Sequence, residues 1–198
     1  MEEQFLIWLK ADAQRLAALE RASELRLRDW CLAAGFVRNL VWDRLHEYAQ
    51  STPLDDIDLV YFDPQDSSPE RDRMLEARLR EVSDLPWSVK NQARMHVRNA
   101  DAPYVSTADA MSFWVEVETA IGVRLVGKRR ELEFVAPLGL EALFAGSVTL
   151  NRKRPKPDAF KARIETKGWL KKWPRLIIGS GLDGPVMANR DTQQSQVM

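Results

Sequence analysis

Asp56 and Asp58 are the residues whose type and spacing best suit chemistry. They stand in Asp56-Ile57-Asp58-Leu59-Val60-Tyr61-Phe62, the clearest strand pattern in the chain. Residues i and i+2 of a strand point to one face, so the two carboxylates share it while Ile57 and Leu59 turn to the other. At about 3.3 Å rise per residue their Cα atoms lie roughly 6–7 Å apart. Like charges that close repel, and a divalent cation is the natural neutraliser. Mg²⁺ takes one or two carboxylates and completes its shell with phosphate oxygens and water. The pair is thus a candidate site for a metal-bound nucleotide. The plain alternative is a solvent-facing strand that carries two acids.

A phosphate cradle lies about twenty residues upstream. Trp30-Cys31-Leu32-Ala33-Ala34-Gly35 is a short apolar run ending in glycine, which suits a buried strand, with a helix end as the alternative. Phe36 to Tyr48 is helical in pattern, with Phe36, Val37, Leu40, Val41 and Leu45 as its apolar residues. A helix opening at Gly35 and Phe36 presents free backbone N–H groups and a positive dipole end to an anion. Arg38 and Asn39 add donors in its first turn.

The remaining elements must hold this pair of features together. Phe5, Trp8, Leu9, Leu16 and Leu19 predict an amphipathic opening helix, and Arg21 to Asp29 reads as helical too. Pro69 to Val82 predicts a helix with proline in its first turn. Pro86 to Gln92 predicts a strand, and Ser106 with Asp109 predicts a capped helix running to about Thr119. Val123–Val126 and Leu132–Val135 predict two further strands, and Pro137 to Phe144 a short helix. Strands separated by helices give an α/β (α+β) fold: a small mixed sheet with flanking helices and a helical C-terminal extension.

Composition narrows the function classes. The 198 residues are 45% hydrophobic and 29% charged, which excludes wholesale disorder. Lys+Arg and Asp+Glu both count 29, which argues against a uniformly basic nucleic-acid coat protein. One cysteine, Cys31, and two histidines, His46 and His96, are too few for a structural zinc site. Cys31 and the tryptophans are read as packing residues. No apolar run approaches the roughly 18 residues of a membrane span, and no basic, apolar leader opens the chain. The expectation is a cytoplasmic protein with no membrane partner.

Ala33-Ala34-Gly35-Phe36-Val37-Arg38-Asn39, Asp56 to Asp63, Trp87-Ser88-Val89-Lys90-Asn91-Gln92-Ala93-Arg94-Met95-His96 and Ala136-Pro137-Leu138-Gly139-Leu140 together resemble the DNA polymerase beta-type nucleotidyltransferase superfamily. Within it they resemble a bacterial branch labelled simply "nucleotidyltransferase family protein". The resemblance spans about Trp30 to Arg175. It implies transfer of a nucleoside monophosphate from a nucleoside triphosphate (NTP) to a hydroxyl, with Mg²⁺ as cofactor and the acceptor unnamed. Asp56 and Asp58 would be the metal ligands and catalytic carboxylates. Gly35 and Phe36 would form the triphosphate turn, with Arg38 and Asn39 beside it. Two departures stand out. Phe36 occupies a place where the family usually has a second Gly or a Ser. The strand that normally brings a third carboxylate carries Lys90 and Asn91 instead. Glu131 and Glu133 are the candidate substitutes for that acid. Lys90, Asn91 and Arg94 are candidate contacts to phosphates or the acceptor.

Asn151 to Arg175 holds ten basic residues against Asp158 and Glu165. With Phe160, Trp169 and Trp173 interleaved, this segment suits nucleic acid, although a solvated helix docked by its aromatics is the favoured reading. Gly179-Ser180-Gly181-Leu182-Asp183-Gly184 mimics a dinucleotide fingerprint but is followed by Pro185, with too little chain beyond it for the acidic residue such a site needs. The expected organisation is a helical segment 1–28, a core 29–150, a basic extension 151–178 and a flexible tail 179–198. The alternative to an enzyme is a non-catalytic nucleotide- or RNA-binding module on the same fold.

Overall fold

The computed structural model describes residues 1–127 and 129–179. Most of the 179–198 tail and of the glycine-rich decoy lies outside them. Five strands form the main sheet: β1 (Trp30–Ala33), β2 (Ile57–Tyr61), β3 (Trp87–Asn91), β4 (Gly122–Val126) and β5 (Glu131–Val135). Their order is β3-β2-β1-β4-β5. Only β2 and β3 run parallel, and α4 (Pro69–Glu81) makes the crossover such a pair requires.

The sheet's two faces differ. Leu32, Ile57, Leu59, Tyr61, Trp87 and Val89 point into the large core. There they meet α1 (Glu2–Lys10), α2 (Ala13–Glu24) and α3 (Gly35–Leu45). Cys31, Ala33 and Val60 lie on the other face, in a small apolar patch with Met111 and Val135. Asp58 pairs across the ladder with Ala33 on β1 and Ser88 on β3, and Val60 with Lys90. The period-two pattern therefore puts Asp58, Ser88 and Lys90 on the face with the thinner cover.

The opening helix breaks in two, because Asp12 caps α2 by accepting from the Arg15 amide at 3.0 Å. The α2 helix stops at Glu24, and Arg26 and Asp29 take positive φ angles of 52° and 43°, so Arg21 to Asp29 is only partly helical. The helix capped by Ser106, α6 (Thr107–Met111), is much shorter than its expected run to Thr119. Beyond it the chain pairs with residues 150–151: Asn151 N donates to Val115 O at 2.9 Å, and Glu116 bridges Leu150. Those long-range bonds outcompete the local helix.

The C-terminal segment packs into the same core. It comprises β6 (Ser147–Thr149), α8 (Pro157–Lys167), α9 (Trp169–Lys172) and β7 (Ile177–Gly179), with β6 and β7 paired in parallel. Phe160, Trp169 and Trp173 are buried in it, and Trp173 Nε1 donates to Asp43 Oδ1 on α3 at 2.8 Å. Arg154 pairs with Asp101 at 2.5 Å and Lys172 with Asp55 at 3.0 Å, so part of the basic run is answered locally.

The β1–β4 pair is packed without slack. A Cβ at Gly122 would lie 2.4 Å from Cys31 Sγ and 2.9 Å from Cys31 Cβ. Gly122→Ala is expected to lower stability by about 1–3 kcal/mol, read as a fall in the urea midpoint. Adding Cys31→Ala removes the nearer clash and should restore part of the loss. An undiminished midpoint in the single variant would contradict this packing.

Candidate active site

The turn between β1 and α3 is sharp. Ala34 sits at φ 54°, ψ −120°, a strained conformation for a residue with a Cβ. The sheet holds it there: its amide donates to Ile121 O at 2.9 Å, and its carbonyl accepts from Val37 and Arg38. Among the described residues no carbonyl accepts from the Gly35 and Phe36 amides, which are therefore available to an anion. A Cβ at Gly35 would meet only ordinary contacts at 3.5–3.6 Å. The protein's own packing thus does not demand glycine at 35, which suits close approach of a ligand.

A cleft of about 480 Å³ opens over this turn. Gly35, Arg38, Asp56, Asp58 and Lys90 all line it, so residues from α3, the β2 start and β3 converge there. Phe36 does not: its side chain is fully buried in the core, and its backbone is what faces the turn. Asn39 lies buried behind Arg38 and accepts from its guanidinium at 3.0 Å. Asn91 is buried away from the cleft, donating to Asp63 O and Asp66 O at 2.8 and 3.0 Å. After Asn91 the strand gives way to a 3-10 turn, Gln92–Arg94, and Arg94 swings to pair with Asp72. Glu131 and Glu133 stand on β5 at the far edge of the sheet, and Glu133 pairs with Arg124. Neither of these acids lines the cleft.

Several cleft residues escape sequence reasoning. Glu116 is 1% exposed, and its Oε1 accepts from Arg163 Nε of α8 at 2.6 Å. Among the described residues its Oε2 has no partner, nor has Arg38 Nε. Unmet buried atoms beside a cleft are the groups a bound ligand or water satisfies. Arg98, Lys156, Arg163 and Lys167 add positive charge to the walls. Lys156, Arg163 and Lys167 belong to the basic run 151–175 read from the sequence, and the helical spacing of Arg163 and Lys167 shows a shared face, but neither signal says what that face meets. Arg38 is clamped between two rings, 4.9 Å from the Trp42 centroid and 4.7 Å from that of Trp169.

Electrostatics agree with an anion and a cation sharing the cleft. Burial, then the neighbouring Asp56, pushes the Asp58 carboxyl up to about 6. Burial brings Arg38 down to about 10, so it stays charged at neutral pH. Lys156 is lowered by burial and by Arg154. Asp56 and Asp58, both hard oxygen donors lining the cleft, would hold a divalent cation together with phosphate and water. Among the described residues no three His, Cys, Asp or Glu side chains gather to hold a metal unaided.

The sheet order, the turn and the acidic pair define a nucleotidyl-transfer type of fold. A family model described as nucleotidyltransferase matches residues 20–178, and the chain belongs to that family. A structure solved by NMR, described as revealing a CCA-adding enzyme head domain, is similar at 34% identity and a TM-score of 0.76. The similarity covers 89% of this chain and 95% of that one. No curated protein sequence matches the chain. Among the described residues no helix is long and apolar enough to cross a membrane.

Proposed function

We propose that this protein transfers a nucleoside monophosphate from Mg–NTP to a hydroxyl acceptor in the cleft above Asp56 and Asp58. The observation that carries this reading is the convergence of that pair, the open α3 amides and Arg38 in one cavity. Gly35 and Phe36 amides, Arg38 and Lys167 would hold the phosphates by charge and hydrogen bonds. Asp56 and Asp58 would hold Mg²⁺, which when bound supplies positive charge to the phosphate oxygens. The acceptor oxygen would attack the α-phosphorus, the bond to pyrophosphate would break with its electron pair going to the leaving oxygen, and the hydroxyl proton would pass to solvent water in the open cleft. Lys90 occupies the β3 side, where the acceptor would enter, and Arg98 and Lys156 extend that basic wall. These cations suit an anionic acceptor, and the similarity to a CCA-adding enzyme head domain makes nucleic acid the first to test.

One observation favours a second reading. The third carboxylate in the cleft, Glu116, is held by Arg163, and among the described residues no three acids gather to hold a metal together, which fits a nucleotide-binding module without catalysis. Pyrophosphate release separates the two. The enzyme reading expects Mg²⁺-dependent release from an NTP with an RNA acceptor, falling at least a hundredfold in Asp56→Asn/Asp58→Asn. Saturable NTP binding without release, across RNA and small phosphate-ester acceptors, would favour the module.

A further inference from the structure

The chain has seven tryptophans. Trp30, Trp42, Trp87, Trp169 and Trp173 are buried, and Trp8 stacks on Phe144 with centroids 5.8 Å apart. Trp114 differs from all of these. It is half-buried, packs against the patch of Cys31, Val60 and Met111, and lines the cleft. Its carbonyl accepts from Asn151 Nδ2 at 2.8 Å, which fixes the backbone beneath it. Among the described residues no aromatic ring or cation covers the indole. Its neighbour Phe113 is covered, by Lys153 Nζ at 4.0 Å from the ring centroid and by Tyr104 with centroids 5.4 Å apart.

The place of Trp114 relative to the acids decides what it meets. In an in-line displacement the leaving pyrophosphate and the attacking oxygen lie on opposite sides of the α-phosphorus. Here the phosphate turn follows Ala33 of β1, which pairs with Asp58, and Lys90 stands on β3 in register with Val60, so the line from the turn to Lys90 runs from the level of Asp58 to that of Val60. Trp114 lines the same cleft and packs on the patch that includes Val60, two residues and so roughly 6–7 Å along β2 from Asp58, which is within a nucleoside's reach of an α-phosphate held at Asp58.

We propose that Trp114 is the shelf on which the base of the incoming nucleotide stacks; this rests on the nucleotide-binding reading above. A π face accepts every base, because stacking reads flatness rather than the hydrogen-bonding edge. All four NTPs should therefore bind, with purines favoured by their larger ring area.

Calorimetric titration of Mg–ATP, Mg–CTP and Mg–tripolyphosphate tests this on wild type, Trp114→Ala and Trp114→Phe. Trp114→Ala should weaken both nucleotides roughly tenfold, within the range measured for base–aromatic stacking. Trp114→Phe should keep most of the affinity. Tripolyphosphate has no base, so its binding should be unchanged in every variant, which also shows that the fold and the phosphate turn survive. Unchanged nucleotide affinity in Trp114→Ala, or an equal loss for tripolyphosphate, would overturn the shelf and leave the nucleotide site standing. Wild type that binds neither nucleotide nor tripolyphosphate would remove the nucleotide reading and the shelf with it.

Discussion

Asp58→Asn should make the metal-free protein more stable at pH 7.5 while removing its affinity for Mg–NTP. Burial and then Asp56 oppose the charge of Asp58 and push its carboxyl from the ordinary 3.8 up to about 6. A carboxyl with a raised folded value binds its proton more tightly in the folded state. Stability therefore falls as pH rises from about 4 through 6, and the deficit is complete above that. A shift of this size corresponds to at most about 3 kcal/mol, so a gain of about 1–3 kcal/mol is expected on replacing the charge with an amide. For a domain of this size that is a rise of roughly 2–12 °C in Tm. Melting in EDTA at several pH values checks it. The advantage of the variant should vanish near pH 4 and open between pH 4 and 6. Excess Mg²⁺ should narrow it, because only wild type gains from the ion. A variant no more stable than wild type at pH 7.5 would contradict the assignment of Asp58 as a strained, desolvated carboxylate awaiting a cation.

Trp169→Ala should damage both stability and nucleotide binding, although Trp169 does not line the cleft. Its ring is buried against Trp42, with centroids 5.7 Å apart, and forms one side of the clamp on Arg38. Losing a buried tryptophan costs about 3–5 kcal/mol, visible as a lower urea midpoint. Arg38 would keep Trp42 on one side only and gain freedom, so Mg–NTP affinity should fall several-fold. Trp173→Ala is the control. That ring also packs on Trp42, at 5.1 Å, and its Nε1 bonds Asp43. It should cost similar stability without the selective loss of affinity, because it is not part of the Arg38 clamp. Equal effects of the two variants on binding would show that the loss follows general loosening rather than the hold on Arg38.

Much of the site was legible because it is local. The Asp56–Asp58 pair follows from the two-residue period of a strand, and the Gly35 cradle from a strand running into a helix. The sheet, its five strands and α4 emerged close to their expected ranges. Long-range pairing was not legible. Asn151 captures residues 112–116, which cuts α6 short and brings Trp114 and Glu116 to the cleft. The basic extension shows a mixture of roles: Phe160 and Trp169 dock it, while Arg163 and Lys167 reach the cleft from one face of α8. The sequence held those charges but not the surface they meet. Arg94, expected with Lys90 as a contact to phosphates or the acceptor, turns away for a local reason, since the backbone leaves the strand after Asn91. The third acid was sought on β5, whose position at the far edge of the sheet depends on the order of strands and not on their number. The helix break at Asp12 was written in a cap residue, and Arg15 behind it donates to Phe36 O at 2.9 Å, tying α2 to the turn between β1 and α3.

The central claim is that Asp56, Asp58 and the Gly35 turn bind a metal-bound nucleoside triphosphate. Calorimetric titration of each NTP with and without Mg²⁺, on wild type and on Asp56→Asn/Asp58→Asn, tests it most directly. The expected result is saturable binding that needs Mg²⁺ and is lost in the double variant while its melting curve stays cooperative. Binding that is absent in wild type, or equally strong in the variant and without the metal, would contradict it.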